Sequence, residues 1–184
     1  NLVKLISILK NDKNLEVILV SSGAVGAGYT ELKLDKTILA NKQTLAAIGQ
    51  PKLMKTYQEM FEEFGITVAQ MLFIADDFDS RKRSKNAKNV MEILLQNNVI
   101  PIINENDVIA TEELIGDNDQ LAAYITHYFK ADMLVILTDI DGYYDKNPRE
   151  FNDAKIQKII NEISQDELDK KPSANSKFAT GGIV

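Results

Sequence analysis

Two clusters of short polar side chains carry the most chemical promise in this sequence. Asn104-Glu105-Asn106-Asp107 follows the apolar run Val99–Ile103, and Gly116-Asp117-Asn118-Asp119 opens a segment of helical period. Aspartate supplies a negative acceptor for an ammonium group, whereas asparagine both donates and accepts. The first cluster therefore suits a zwitterionic amino acid better than a phosphate. Asn and Asp also build turns and helix caps, and that account of either tetrapeptide stays open. A carboxylate in a first helical turn is kept ionised by the helix dipole, so an aspartate such as Asp119 could hold catalytic lysines or a substrate ammonium. Upstream, Ser21-Ser22-Gly23-Ala24-Val25-Gly26-Ala27-Gly28 follows the run Val17–Val20. Glycines after a strand let backbone amides approach an anion, although a turn that merely packs a helix would use them equally well. Tyr29 stands where a Walker A loop needs its lysine, which disfavours that loop. Thr138 and Asp139 follow a fourth apolar run, and Thr180-Gly181-Gly182 offers a hydroxyl and flexible amides for phosphate contacts.

Positioning these groups requires a sheet. Val17–Val20, Ile66–Phe73, Val99–Ile103 and Met133–Leu137 are short runs rich in Val, Ile and Leu, the pattern of buried parallel strands. Between them, Leu53, Met54, Tyr57, Met60, Phe61 and Phe64 fall on one helical face that stops at Gly65. Pro51 is expected to start or kink that helix. Ala87, Val90, Met91, Leu94 and Leu95 mark a second helix. A third is expected from about Asn118 to Phe129, burying Leu121, Ala122, Ile125 and Phe129 while His127 points away without a catalytic role. Arg81-Lys82-Arg83 and Lys85 read as a solvated helix entrance, and Asp141–Asp153 as a surface loop. The alternation of strands and helices predicts an α/β fold, a three-layer αβα sandwich around an open, mainly parallel sheet with ligands at the strand carboxyl ends.

At 184 residues and 45% hydrophobic content one domain over residues 1–184 is expected. A net charge of -6 argues against a nucleic-acid or anionic-membrane partner, and the absence of cysteine removes thiol nucleophiles and thiolate zinc sites. No apolar run approaches the roughly 18 residues of a membrane helix, and a cytoplasmic location is expected.

In order along the chain, Ser-Ser-Gly-Ala, I-P-I-I-N-E-N-D, G-D-N-D, L-T-D-x-D-G-Y-Y and a closing T-G-G resemble the amino acid kinase family. The match is nearest to the branch that phosphorylates the γ-carboxylate of L-glutamate with ATP and Mg2+, the first step of proline biosynthesis. Another amino acid kinase, such as one acting on acetylglutamate, and a catalytically dead amino-acid sensor are the rivals. The resemblance implies that Ser22, Asp107 and Asn118 contact glutamate, with Gly23, Ala24, Asn104 and Asp117 shaping that pocket. It assigns Thr138, Asp139, Thr180, Gly181 and Gly182 to ATP, and Asp119 to organising two lysines about the phosphoryl group; metal ligands are not specified. Both lysine segments are missing from this sequence, which reads as a core truncated at both ends, without an appended RNA-binding-like domain and without turnover by itself. Feedback inhibition by proline and a homo-oligomer are also implied.

Overall fold

The computed structural model describes residues 1–110, 118–138, 141–146 and 148–160. The chain divides into two compact units, Asn1–Asp132 and the residues from Met133 onward. The first unit runs α1 (Leu2–Asn11), β1 (Leu19–Val20), α2 (Ala24–Glu31), α3 (Leu39–Glu62) and β2 (Val68–Phe73). It continues through α4 (Ala75–Asp79), α5 (Arg81–Gln96), β3 (Ile100–Glu105) and α6 (Asn118–Phe129).

The three strands form a parallel sheet in the order β1-β3-β2. The alternation of side chains along β3 sends Ile100 and Ile102 to one face and Ile103 to the other. On the first face they pack with Val3 and Ile6 of α1 and Phe61 of α3. On the second, Ile103 joins Phe78 of α4, Met91 of α5 and Leu121 and Ile125 of α6. This unit is thus the expected three-layer α/β sandwich, with β3 buried on both faces.

Strand bounds differ from the sequence reading for a physical reason. Ile100 N–H bonds Thr67 on the β2 side, so the position of Pro101 falls on the β1 side, where proline has no N–H to offer. The β1 ladder therefore begins only at Leu19, opposite Ile102, and Val17 and Ile18 lie outside it. Ile66 and Thr67 precede the β2 ladder, and Val99 precedes that of β3. At its other end β3 continues through Asn104 and Glu105, which pair with Leu72 and Phe73. The polar cluster thus starts inside the strand.

The run Met133–Leu137 forms no strand among the described residues, and Met133 is 77% exposed. An apolar run states a preference for burial, but a ladder also requires a neighbouring backbone. Part of the expected 141–153 loop is a ladder: β4 (Tyr143–Tyr144) pairs antiparallel with β5 (Ile156–Gln157). Pro51 lies inside α3, which begins at Leu39, so it does not start the helix. Phe61 is fully buried, whereas Met60, Phe64 and Val90, read as core-facing, are exposed. The chain turns out of α3 at Gly65, α5 opens at the basic run with the Ser80 side chain accepting from Arg83 N, and α6 spans the expected residues. Among the described residues no helix is long and apolar enough to cross a membrane.

Helices α2 and α3 cross at backbone contact. A methyl group on Gly28 would lie 1.9 Å from the Leu45 carbonyl oxygen, and one on Gly49 1.8 Å from that of Ala24. Only hydrogen fits at either position, and the crossing fixes the start of α2, where the Ser21–Ala24 segment leaves β1.

Candidate functional site

The carboxyl ends of β1 and β3 are adjacent, and three separated segments meet there. Ser21 N–H bonds the Ile103 carbonyl at 2.8 Å, continuing the ladder one residue past β1. Its hydroxyl lies 2.8 Å from the Tyr57 hydroxyl of α3. Gly23, at φ +107, turns the chain into α2; Ser22 and Gly23 are exposed, while Ala24 is buried under the α2–α3 crossing.

From the opposite face of the sheet, α6 brings Asn118. Its Nδ2 donates to the Ser21 carbonyl at 3.0 Å and to Asn104 Oδ1 at 3.3 Å. Asn104 is 3% exposed, and its Oδ1 also accepts from Glu105 N–H at 2.9 Å. Its own Nδ2 donates to Gln50 Oε1 of α3 at 2.9 Å, and Gln50 Nε2 donates to Gln70 Oε1 of β2 at 2.9 Å. Four side-chain amides form a chain from α6 across the strand ends to β2.

Asp107 lies in a turn after β3 in which the Asn106 carbonyl accepts from Ile109 and Ala110 N–H. Gln43 of α3 holds the far side of that turn through the Ala110 carbonyl at 3.2 Å. Burial pushes the Asp107 carboxyl above the usual carboxylate range, while the Lys42 ammonium pulls it the other way. A half-buried carboxylate with a raised pKa is an incomplete electrostatic site, one that a cationic ligand group would complete. Asp119 is half-buried in the first turn of α6.

The structure therefore brings together the Ser22-Gly23-Ala24 segment, Asn104 and Asn118, with Asp107 on the turn beyond β3. Thr138 belongs to the second unit and is exposed. Asp117, Asp139, Thr180, Gly181 and Gly182 lie outside the described residues. Sequence reasoning missed Gln43, Gln50 and Gln70. A glutamine within a helical period resembles a solvent-facing residue, and the one signal was Gln50 standing directly before Pro51.

A model of the amino acid kinase family matches residues 1–184. The chain belongs to the amino acid kinase family. Among its relatives in that family, the glutamate 5-kinase of Wolinella succinogenes is 57% identical, with 100% of this chain and 72% of that protein covered. Glutamate 5-kinase of Helicobacter hepaticus is 52% identical over 100% of this chain and 69% of its own length. That of Leishmania donovani is 55% identical over 92% of this chain and 65% of its own length. Two solved isopentenyl phosphate kinase structures share the fold, each with a TM-score of 0.52. The one from T. acidophilum, a product complex, is 16% identical and covers 83% of this chain and 66% of its own; the other is 17% identical and covers 90% and 72%. The sequence-based expectation of an amino acid kinase with a parallel α/β sheet is met.

Proposed function

We propose that this protein transfers the γ-phosphoryl group of ATP to the side-chain carboxylate of L-glutamate, the first step of proline biosynthesis. A γ-carboxylate oxygen attacks the γ-phosphorus in line, and the bond from that phosphorus to the β–γ bridging oxygen breaks. ADP leaves with the electron pair and the acyl phosphate remains. The carboxylate is already ionised near neutral pH, so no general base is required and catalysis rests on positioning and charge neutralisation.

The observation that carries this reading is the meeting of Ser21, Asn104 and Asn118 at the strand ends, in a chain 57% identical over its whole length to a glutamate 5-kinase. Ser22, Gly23, Ala24, Asn104, Asp107, Asp117 and Asn118 form the glutamate pocket in this proposal, with Asp107 taking the ammonium. Asp119 organises the cationic groups about the phosphoryl group, and Thr138, Asp139, Thr180, Gly181 and Gly182 serve ATP. Magnesium takes oxygen donors and shares substrate phosphates. The described residues hold no cluster of three carboxylate, histidine or cysteine side chains. In this proposal the ion would be carried largely by the ATP phosphates, where it would neutralise charge. Feedback inhibition by proline, a homo-oligomer and a cytoplasmic location complete the proposal.

The test is hydroxylamine trapping of the acyl phosphate in a version of the protein that carries both lysine segments, with glutamate and acetylglutamate compared at equal concentration. Hydroxamate formed with ATP and glutamate is the expected result. Preference for acetylglutamate would reassign the substrate, and glutamate binding without turnover would make the protein a sensor.

A further inference from the structure

We infer that Gln50, backed by Gln70, is a positioning residue that, together with the Glu105 backbone N–H, holds the hydrogen-bond polarity of the glutamate pocket. The inference rests on the glutamate-kinase reading above and extends it to residues with no place in the sequence-derived site. An asparagine side chain presents either an acceptor or a donor to a ligand, and a half-turn of its amide exchanges them. Which end faces the ligand is decided by the partners behind it.

Here every amide in the chain points the same way. Gln50 Nε2 donates to Gln70, and Gln50 Oε1 accepts from Asn104 Nδ2. Gln50 Oε1 thus holds the Nδ2 end of Asn104, and the Glu105 backbone N–H, a donor that cannot reverse, holds its Oδ1 end, which also faces Asn118. That oxygen in turn draws the Nδ2 of Asn118. Both hydrogens of that nitrogen are then consumed, one by Asn104 Oδ1 and one by the Ser21 carbonyl. Asn118 is left to offer its carbonyl oxygen. An acceptor at these strand ends suits an ammonium group and repels a carboxylate, so the chain of amides carries a preference for one end of a zwitterion. Gln50 and Asn104 are buried, so neither amide is reoriented by bulk water, whereas Gln70 lies at the exposed end.

Gln50→Leu removes the acceptor and leaves Asn104 Nδ2 buried without its partner, so the Asn104 amide is held only through its Oδ1 and its position loosens. The expected result is a rise of about 10-fold or more in KM and in the directly titrated Kd for glutamate, with KM for ATP changed less than about 2-fold. Gln50→Glu keeps the acceptor, and the exposed Gln70 amide can turn to donate to it, so this variant recovers most of the lost affinity. Gln70→Leu acts only through Gln50: its effect is of the same sign, about 2- to 4-fold, and vanishes in the Gln50→Leu background. Unchanged glutamate affinity in Gln50→Leu, an equal loss for ATP, or additive effects in the double variant would each overturn the inference. If Gln50→Leu fails to fold, Gln70→Leu and Gln50→Glu decide it, since both leave the core packing in place. Lack of glutamate-dependent turnover by an otherwise wild-type version carrying both lysine segments would instead count against the proposed function, and binding titrations with glutamate would still judge the amide chain.

Discussion

At the scale of single residues, Asp107 is held in a compromise. Burial makes its ionised form costly in the absence of ligand, and Lys42 offsets only part of that cost. The folded-state pKa is raised, so the native state holds its proton to higher pH than the unfolded chain does. Its contribution to stability is present below the unfolded carboxylate range, near about 3.9, and is lost as pH rises through the folded value. Asp107→Asn should therefore raise the ligand-free unfolding midpoint at neutral pH and flatten its decline with pH, as read by urea titrations at several pH values. In the same variant glutamate binding should weaken by about 1.5–3 kcal/mol while ATP binding is nearly intact, measured by calorimetry. Equal losses for both ligands would make Asp107 structural. In a version carrying both lysine segments, Asp119→Asn keeps shape and removes charge, so kcat should fall at least about 100-fold with much smaller changes in directly measured Kd. A near-normal kcat would reduce Asp119 to a helix-start residue. The places of Asn104 and Asn118, at a strand end and a helix start, were legible in the sequence because apolar runs and helical period mark where those elements stop and begin. Gln50 was not, because its role depends on a partner 54 positions away in sequence.

At the scale of elements, the apolar runs made β2, β3 and α6 legible, since burial on one or both faces is written locally in residue type. What escaped was set by neighbours. The length of β1 depends on Pro101 in another strand, and the pairing of Tyr143 and Tyr144 depends on Ile156 and Gln157. The α2–α3 crossing gives a sharp comparison. In an exposed helix interior, replacing glycine by alanine gains up to about 1 kcal/mol from propensity. Gly26 is exposed with open space about it, so Gly26→Ala should stabilise the protein by several tenths of a kcal/mol or more. Gly28 and Gly49 instead face backbone carbonyls that cannot turn aside. There the clash exceeds the propensity gain, and either alanine should destabilise by at least about 2 kcal/mol in denaturant titration. Three substitutions of one chemical kind thus separate close packing from helix propensity, and tolerance of alanine at Gly28 would refute the crossing.

At the scale of the whole molecule, a ligand that binds only the native state must stabilise it. Glutamate at about 100 times its Kd should add about 2.7 kcal/mol to the unfolding free energy. At the same concentration Asp107→Asn should show much less of that gain, in contrast to its higher ligand-free midpoint. The sheet order has a further consequence in time. β1 and β2 are not neighbours: each pairs with β3, which lies between them and comes last of the three in sequence. A nascent chain that has not reached Ile100 holds two apolar strands that do not pair with each other in this sheet. Helices α1, α2 and α3 can begin to form beforehand, but the parallel ladder closes only when the third strand enters between the other two. Such non-local pairing is slow and leaves strand edges open meanwhile. Synthesis paused shortly before Ile100 should therefore yield a protease-sensitive, chaperone-dependent chain, and protection should appear over a narrow window of length once Glu105 has cleared the ribosome.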